Sequence, residues 1–308
     1  MAKKKHNQLF KLNEAYFSVH KTQIAETGFG LDHTPRLIEE GFGIYSSVNL
    51  KDEIGPLKSN FYRVALCLEG GLQVDIGVET YRHKKNTIHF NVPDRLFMMK
   101  NVSPDLKAYY LFFSADFIEE VIPEGILAKR FPFLHYLNTP FFELMEEEAE
   151  NITQLMYSIS NEIAQGLAEF KTSIKLLILM IFIAAKRSYN RQQIDKYLIN
   201  KQESHLVSRF KKMVAQNFIT LRNVKDYANK MAVSTNHLSK IIKHETGKTA
   251  GEFIDEMLIM EIKALLRYSE LNVSEITHQL DFTDTSHLSK FFKKYTELSP
   301  LGYRKKFQ

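Results

Sequence analysis

The sequence holds a single cysteine in 308 residues, Cys67 in "VALCLEGG". One thiol cannot close an internal disulfide, and no Cys/His cluster at zinc-ligand spacing accompanies it. A secretory leader is not expected either: "MAKKKHNQLFKLNEAYF" starts basic but leads into neither an apolar run nor a small-residue cleavage site. Long apolar runs are absent. The strongest, "LLILMIFIAA" at 176–185, lies between Lys175 and Lys186, and at about half the length a bilayer needs it reads as a buried helix. There is no P-loop, no nucleotide-binding glycine fingerprint and no nucleophile elbow. These absences point to a reducing cytoplasm and give no motif for an enzyme.

What is present suffices for folded structure. With 44% hydrophobic and 25% charged residues, the chain can build a packed core, and its length fits about two domains. Charge is unevenly distributed between them. Residues 201–308 contain 18 Lys/Arg and 12 Asp/Glu, a net of +6, while the rest of the chain nets −1. A basic module on a near-neutral one suggests a polyanion partner for the basic part, although a solvated basic face explains charge alone equally well.

The apolar period changes along the chain in step with the charge. From about 41 to 113, "GFGIYSSVNL", "FYRVALCLEGG", "LQVDIGVETYRH", "NTIHFNVPDR" and "LKAYYLFFS" alternate with turn signals such as Gly70-Gly71 and Pro93-Asp94, the pattern of a β-barrel or sandwich. Ser114 is a candidate N-cap, and helices are expected over about 143–169 and 172–189. The second is apolar nearly all round: Ile174, Leu177, Ile178, Ile181, Phe182 and Ala185 share one face, while Leu176, Met180 and Ile183 lie on others. Such a helix needs partners on more than one side, and a second protomer would supply one. The polar run "SYNRQQIDKYLINKQE" reads as a linker.

The last third repeats itself. "HLSKIIKHET" from His237 returns as "HLSKFFKKYT" from His287, and upstream "VKDYANKMAVSTN" runs beside "VSEITHQLDFTDTS" with one residue inserted. Each copy reads as a short helix, a turn ending in an N-cap (Ser234; Thr283 or Asp284) and a second helix, which is the helix-turn-helix unit. Leu238, Ile241 and Ile242, and then Leu288, Phe291 and Phe292, form the buried stripe at i, i+3, i+4. The opposite face carries Thr235, Asn236, Ser239, Lys240 and Lys243 in one copy, and Thr285, Ser286, Ser289, Lys290 and Lys293/Lys294 in the other. Short polar groups followed by cations suit base edges and phosphates. Any surface helix has a polar outer face, but two copies matching in both stripes ask for a shared function.

The segment "VSEITHQLDFTDTSHLSKFFKKYTELSPLGYRKKF" resembles the signature of AraC-type (arabinose-regulator-like) transcription factors, with Phe282, Ser286, Phe292-Lys293, Pro300 and Tyr303-Arg304 in register. The resemblance covers about 204–308. It implies two helix-turn-helix units joined by a long helix, here about 249–269, with base readers at Asn236, Ser239, Lys240, Thr285, Ser286, Ser289 and Lys290. Arg304, Lys305 and Lys306 are assigned to backbone or core. The chain departs from the family at Thr277 (usually Ala), Asp281 and Glu297 (both usually Gly), and Glu297 leaves the shape of its turn open.

The front half is similar, less specifically, to the cupin-like sensing and dimerisation domain of such regulators. A cupin metal site needs a closely spaced pair of histidines, whereas His83 and His89, placed on one strand, would stand about 20 Å apart; no metal and no cofactor are expected. Among His33, Arg36, Arg63 and Arg82, an anion could be bound inside the barrel, but surface solvation is the expected role for most, and no effector-binding residue is assigned. The expected fold is thus α+β: an N-terminal cupin-like β-barrel with following dimerisation helices (1–190), a linker (191–203) and a C-terminal all-α tandem helix-turn-helix domain (204–308). The partners implied are double-stranded promoter DNA, a second protomer, a small-molecule effector and RNA polymerase, with no membrane and no catalytic residues. Competing readings are a cupin-type metalloenzyme with a helical appendage and a protein-interaction module that docks on an acidic partner.

Overall fold

The computed structural model describes residues 41–135, 138–192, 194 and 202–307, which divide into two compact units on either side of about residue 195. Most of the segment read as a linker lies outside the described residues. So do His33 and Arg36.

Among the described residues the front unit has nine strands: β1 (Phe42–Ser46), β2 (Ile54–Leu57), β3 (Phe61–Glu69), β4 (Leu72–Ile76), β5 (Glu79–His83), β6 (Thr87–Asn91), β7 (Phe97–Lys100), β8 (Lys107–Ser114) and β9 (Phe141–Glu143). They form two antiparallel sheets, β1-β8-β3-β6-β9 and β2-β7-β4-β5. The expected barrel is corrected to an open pair of sheets. Closure needs a staggered ladder continuing round the structure, and among the described residues no ladder joins one sheet to the other. The run "LQVDIGVETYRH" holds two strands, β4 and β5, paired as a hairpin. Gly77 stands first in the two-residue loop between Ile76 and Glu79 at φ +60, the conformation a tight hairpin asks of glycine.

The five-stranded sheet is buried on both sides. In β3, Val64 and Leu66 point one way and Arg63, Ala65 and Cys67 the other, because side chains alternate across a strand. The first set meets the helices α1 (Ala115–Glu119), α2 (Glu124–Arg130), α3 (Glu146–Gln165) and α4 (Phe170–Arg191) in one apolar core. Ser114 caps α1 as expected, accepting from the Phe117 amide at 3.2 Å. Gly166, at φ +56, stops α3 before the expected 169. On α4, Ile174, Ile178, Ile181, Phe182 and Ala185 are fully buried against α3 and the sheet. Leu176, Met180 and Ile183 are 51%, 52% and 37% exposed, so α4 carries an apolar stripe that its own unit does not cover.

The C-terminal unit is all helix: α5 (Gln202–Asn217), α6 (Val224–Lys230), α7 (Thr235–Thr246), α8 (Ala250–Tyr268), α9 (Val273–Gln279), α10 (Thr285–Thr296) and α11 (Pro300–Phe307). Helix α8 starts from a reciprocal cap: Thr249 Oγ1 accepts from the Glu252 amide and Glu252 accepts from the Thr249 amide, which satisfies two donors a helix start leaves open. One aromatic from outside completes each helix pair. Phe210 of α5 packs edge-on against Tyr227 of α6, and Tyr303 of α11 packs edge-on against Phe292 of α10.

Candidate nucleic-acid interface

The two helix pairs, α6–α7 and α9–α10, are built alike down to single hydrogen bonds. In the first, Val233 N–H donates to the Ala228 carbonyl at 3.1 Å; in the second, Phe282 N–H donates to the Thr277 carbonyl at 3.0 Å. The residue before each donor lies in the left-handed region, Ala232 at φ +56 and Asp281 at φ +57. Ser234 Oγ then accepts from the His237 amide at 3.2 Å and Asp284 Oδ1 from the His287 amide at 2.8 Å. Asp284, rather than Thr283, is therefore the cap of the second copy. Both second helices end in a left-handed residue, Gly247 at φ +73 and Glu297 at φ +61, each donating to the carbonyl four residues back. The turn left open at Glu297 keeps the shape of its glycine counterpart.

Burial repeats as well. Leu238 and Ile242, and Leu288 and Phe292, are fully buried. Phe291 is only half-buried, resting on Phe282 and Tyr295; the expected stripe of the second copy is narrower than that of the first. On the outer face Asn236, Lys240, Lys243, Thr285, Ser286, Lys290, Lys293 and Lys294 are exposed, and Thr235, Ser239 and Ser289 are half-exposed. The ten expected site residues thus share one accessible face on each helix. Two of the cations already have local contacts: Lys243 Nζ donates to the Gly247 carbonyl at 2.8 Å, and Lys294 Nζ sits 5.0 Å from the Tyr295 ring centre.

Three polar groups tie the two helix pairs to one frame. Arg222, just before α6, donates from Nε to the Ile219 carbonyl and from Nη2 to the Leu280 carbonyl at the end of α9, with its guanidinium 4.6 Å from the Phe282 ring centre. Tyr295 of α10 donates to Asp255 of α8. Arg304 donates to the Leu266 carbonyl at 3.0 Å and the Leu271 carbonyl at 2.5 Å, filling acceptors that a helix end leaves open. Of the two roles left open for Arg304, backbone or core, these bonds place it in the core. Arg222 escaped that reading, because the partner that ties it to the second helix pair, Leu280, lies 58 residues away and nothing in "TLRNVKD" marks it.

In the front unit the expected geometry of the histidines is overturned. His83 ends β5 and His89 lies in β6, across the turn at Lys84–Asn86, and the two sheets bring His83 Nε2 and His89 Nδ1 to 2.6 Å. Placing both on one strand had held them apart. Burial lowers the His83 pKa to about 3 and that of His89 well below its ordinary value, so both rings are neutral. The facing nitrogens are spent on each other, and among the described residues no three His, Cys, Asp or Glu side chains gather in a metal-binding group. Arg63 is 4% exposed, its guanidinium 3.9 Å from the Phe97 ring centre, and burial pushes its pKa down to about 9. Of the four basic residues considered for an anion, Arg63 is interior and Arg82 is exposed.

Comparison with known proteins places the C-terminal unit. Residues 227–306 match the family described as "Helix-turn-helix domain". The chain is 29% identical over 109 residues to the Msm operon regulatory protein of Streptococcus mutans, which covers 35% of this chain and 39% of that protein. It is 22% identical over 189 residues to the HTH-type transcriptional activator RhaS of Escherichia coli, covering 57% of this chain and 65% of the relative. The chain thus spans less than two thirds of the curated relatives it matches. Among solved structures, the C-terminal domain of AraT, a response regulator from Geobacillus stearothermophilus, aligns with a TM-score of 0.32 at 26% identity over 34% of this chain and 88% of its own. ToxT of Vibrio cholerae aligns over 87% of this chain and 97% of its own, with a TM-score of 0.40 at 13% identity. The resemblance read from the repeat holds: residues 227–306 match a helix-turn-helix domain, and the chain is similar to the transcriptional activator RhaS.

Proposed function

We propose that the chain is a sequence-specific, DNA-binding transcription regulator of AraC type and not an enzyme. The observation that carries this reading is the pair α7 and α10, alike in caps, burial and exposed side chains and both held to α8. In the proposed complex each enters the major groove, the two meeting sub-sites about one helical turn apart on one DNA face. Asn236 is suited to a bidentate contact with adenine, where Ser286 offers a single hydroxyl. Thr235, Ser239, Thr285 and Ser289 take further base-edge contacts, and Lys240, Lys243, Lys290 and Lys294 supply cations to guanine acceptors or phosphates.

The front unit is the proposed cupin-like sensing and dimerisation domain, spanning 1–190. Leu176, Met180 and Ile183 of α4 would meet their counterparts on a second protomer. A small effector, and contact with RNA polymerase at the promoter, complete the scheme for an activator; RhaS, 22% identical, is named as one. No described helix is long and apolar enough to cross a membrane, which accords with action in the cytoplasm.

The test is selection from a random-sequence duplex library by the full-length protein at near-physiological salt. Enrichment of a bipartite motif with one-turn spacing is the expected result. Two unrelated sub-sites would refute the equivalence of α7 and α10. No retention even at low salt would refute DNA binding and favour a protein-interaction module.

A further inference from the structure

We propose that the space between the two sheets of the front unit binds a small monocarboxylate that also carries a hydroxyl, through Arg63 and His89, which both line it, with Asn91 beside Arg63 on the same face. As the effector of the regulator proposed above it rests on that reading; as a binding site it stands by itself.

Register brings the three side chains together. Arg63 of β3 lies directly opposite Asn91 of β6, and Ala65 lies opposite His89, so Arg63, Asn91 and His89 share the face turned away from the helices. They are 4%, 0% and 2% exposed. Each nonetheless has unpartnered polar atoms: Arg63 Nη1, both side-chain atoms of Asn91, and His89 Nε2. Buried polar groups are almost always paired, and a group of unsatisfied atoms on one face calls for a ligand. The surroundings of Arg63 are aromatic, with Phe97, Phe112 and Phe61 ring centres at 3.9, 5.0 and 5.7 Å from its guanidinium carbon. The adjoining cavity is walled by Leu50, Ile54, Val74, Phe97 and Met99 and has no carboxylate among its lining residues. A guanidinium kept from water without a counterion favours an anion that arrives with the ligand.

The histidines specify the second group. Thr87 Oγ1 gives its hydrogen to the Lys84 carbonyl at 2.6 Å, so it accepts from His83 Nδ1 at 2.8 Å. A neutral imidazole has one donor and one acceptor. His83 Nε2 is therefore the acceptor in the 2.6 Å contact, His89 Nδ1 the donor, and His89 Nε2 is left as a buried acceptor. It calls for a hydroxyl or amine donor on the ligand; one cation and one acceptor match a hydroxy acid, not a dianion. Size agrees: the cavity is ≈ 50 Å³, and at about 10–15 Å³ per water that is room for about three to five waters, the scale of a three-carbon acid. A sugar is too large and too polar for these walls.

The experiment is isothermal titration calorimetry and thermal unfolding of the full-length protein with lactate, propionate and the neutral lactamide, against sodium chloride at matched ionic strength. Lactate should bind and raise the unfolding midpoint, propionate should do so about tenfold more weakly for want of the hydroxyl, and lactamide and chloride should not. Arg63→Met, which replaces a buried charge with an apolar chain of similar length, should abolish the response, and His89→Phe should remove the preference for lactate over propionate. Absence of carboxylate binding in the wild-type protein overturns the proposal, as does an equal response in Arg63→Met. Should Arg63→Met fail to fold, Arg63→Lys keeps the cation without its fork and should weaken lactate by about tenfold; unchanged affinity overturns the proposal. DNA binding measured on the same samples separates the two readings: carboxylate silence with DNA binding retained sinks this inference alone, and carboxylate binding without DNA binding sinks the regulator alone.

Discussion

Glu297 and Ala232 hold left-handed backbone that a side chain makes costly, about 1–2 kcal/mol each, and Glu297 does so where the first copy has Gly247. The conformation is imposed by the bonds around it, the amide of Glu297 on the Lys293 carbonyl and that of Val233 on the Ala228 carbonyl. Replacing Glu297 or Ala232 by glycine removes the strain, against about 0.5–1 kcal/mol of added chain entropy. We expect Glu297→Gly and Ala232→Gly each to stabilise the C-terminal unit by about 0.5–1 kcal/mol, read as a higher denaturant midpoint at unchanged slope. Asp281→Gly should give less, since aspartate tolerates this region better than most residues. At this scale the sequence was legible where chemistry is local: Ser234 and Asp284 cap their helices from three residues away. It was mute where a residue works across the fold. Arg222, His83 and His89 meet their partners through tertiary packing, and no local pattern foretells the 2.6 Å contact between the two imidazoles.

The helices separate into those whose faces are spent and those whose faces are free. On α7 and α10, Lys240 and Lys290 project from the exposed face, and Lys240→Ala and Lys290→Ala should each weaken specific DNA binding by about 1–3 kcal/mol if they read bases. An equal loss on specific and random duplexes, with a shallower salt dependence, would mark them as phosphate contacts. On α4, a charge placed among Leu176, Met180 and Ile183 should act on assembly and leave the fold intact. If the proposed dimer forms through this stripe, the wild-type protein sediments as a dimer and Met180→Glu as a monomer with the circular dichroism unchanged; a dimer that survives the substitution would put the interface elsewhere. Helices were the best-read elements, because period 3.6 and cap residues mark them twice over. Strands were less so: β2, β7 and β9 are three to four residues long, too short for alternation to register, and β6 is buried on both faces, which erases alternation altogether. Strand spacing, read as a barrel or sandwich, does not fix whether the ladder closes, which is why the expected barrel is an open pair of sheets.

At the scale of the whole molecule, acid should loosen the front unit first. His83 is neutral in the fold down to about pH 3 and His89 is held lower than its ordinary range, so between about pH 6.5 and 3 the unfolded chain binds more protons than the folded one. Stability from this pair is therefore full above about pH 6.5 and falls below it, by up to about 1.4 kcal/mol per pH unit for each ring. At His89 the neighbouring His83 and Arg63 push the same way as burial, while at His83 the hydrogen bond to Thr87 opposes burial without overcoming it. A front-unit unfolding transition flat from pH 7 to 4.5 would contradict the buried, neutral pair. One further property belongs to the chain as a whole. Cys67 is buried, its thiol weakly hydrogen-bonded to the Glu69 and Gly70 carbonyls and its pKa pushed up to about 11 by burial, and the sequence has no tryptophan. The native protein therefore presents no reactive thiol and no indole: a cysteine introduced at Ser286 would label alone with thiol reagents under mild conditions, and a single tryptophan on α10, excited at wavelengths beyond the absorption of the 14 tyrosines, would report on its own surroundings.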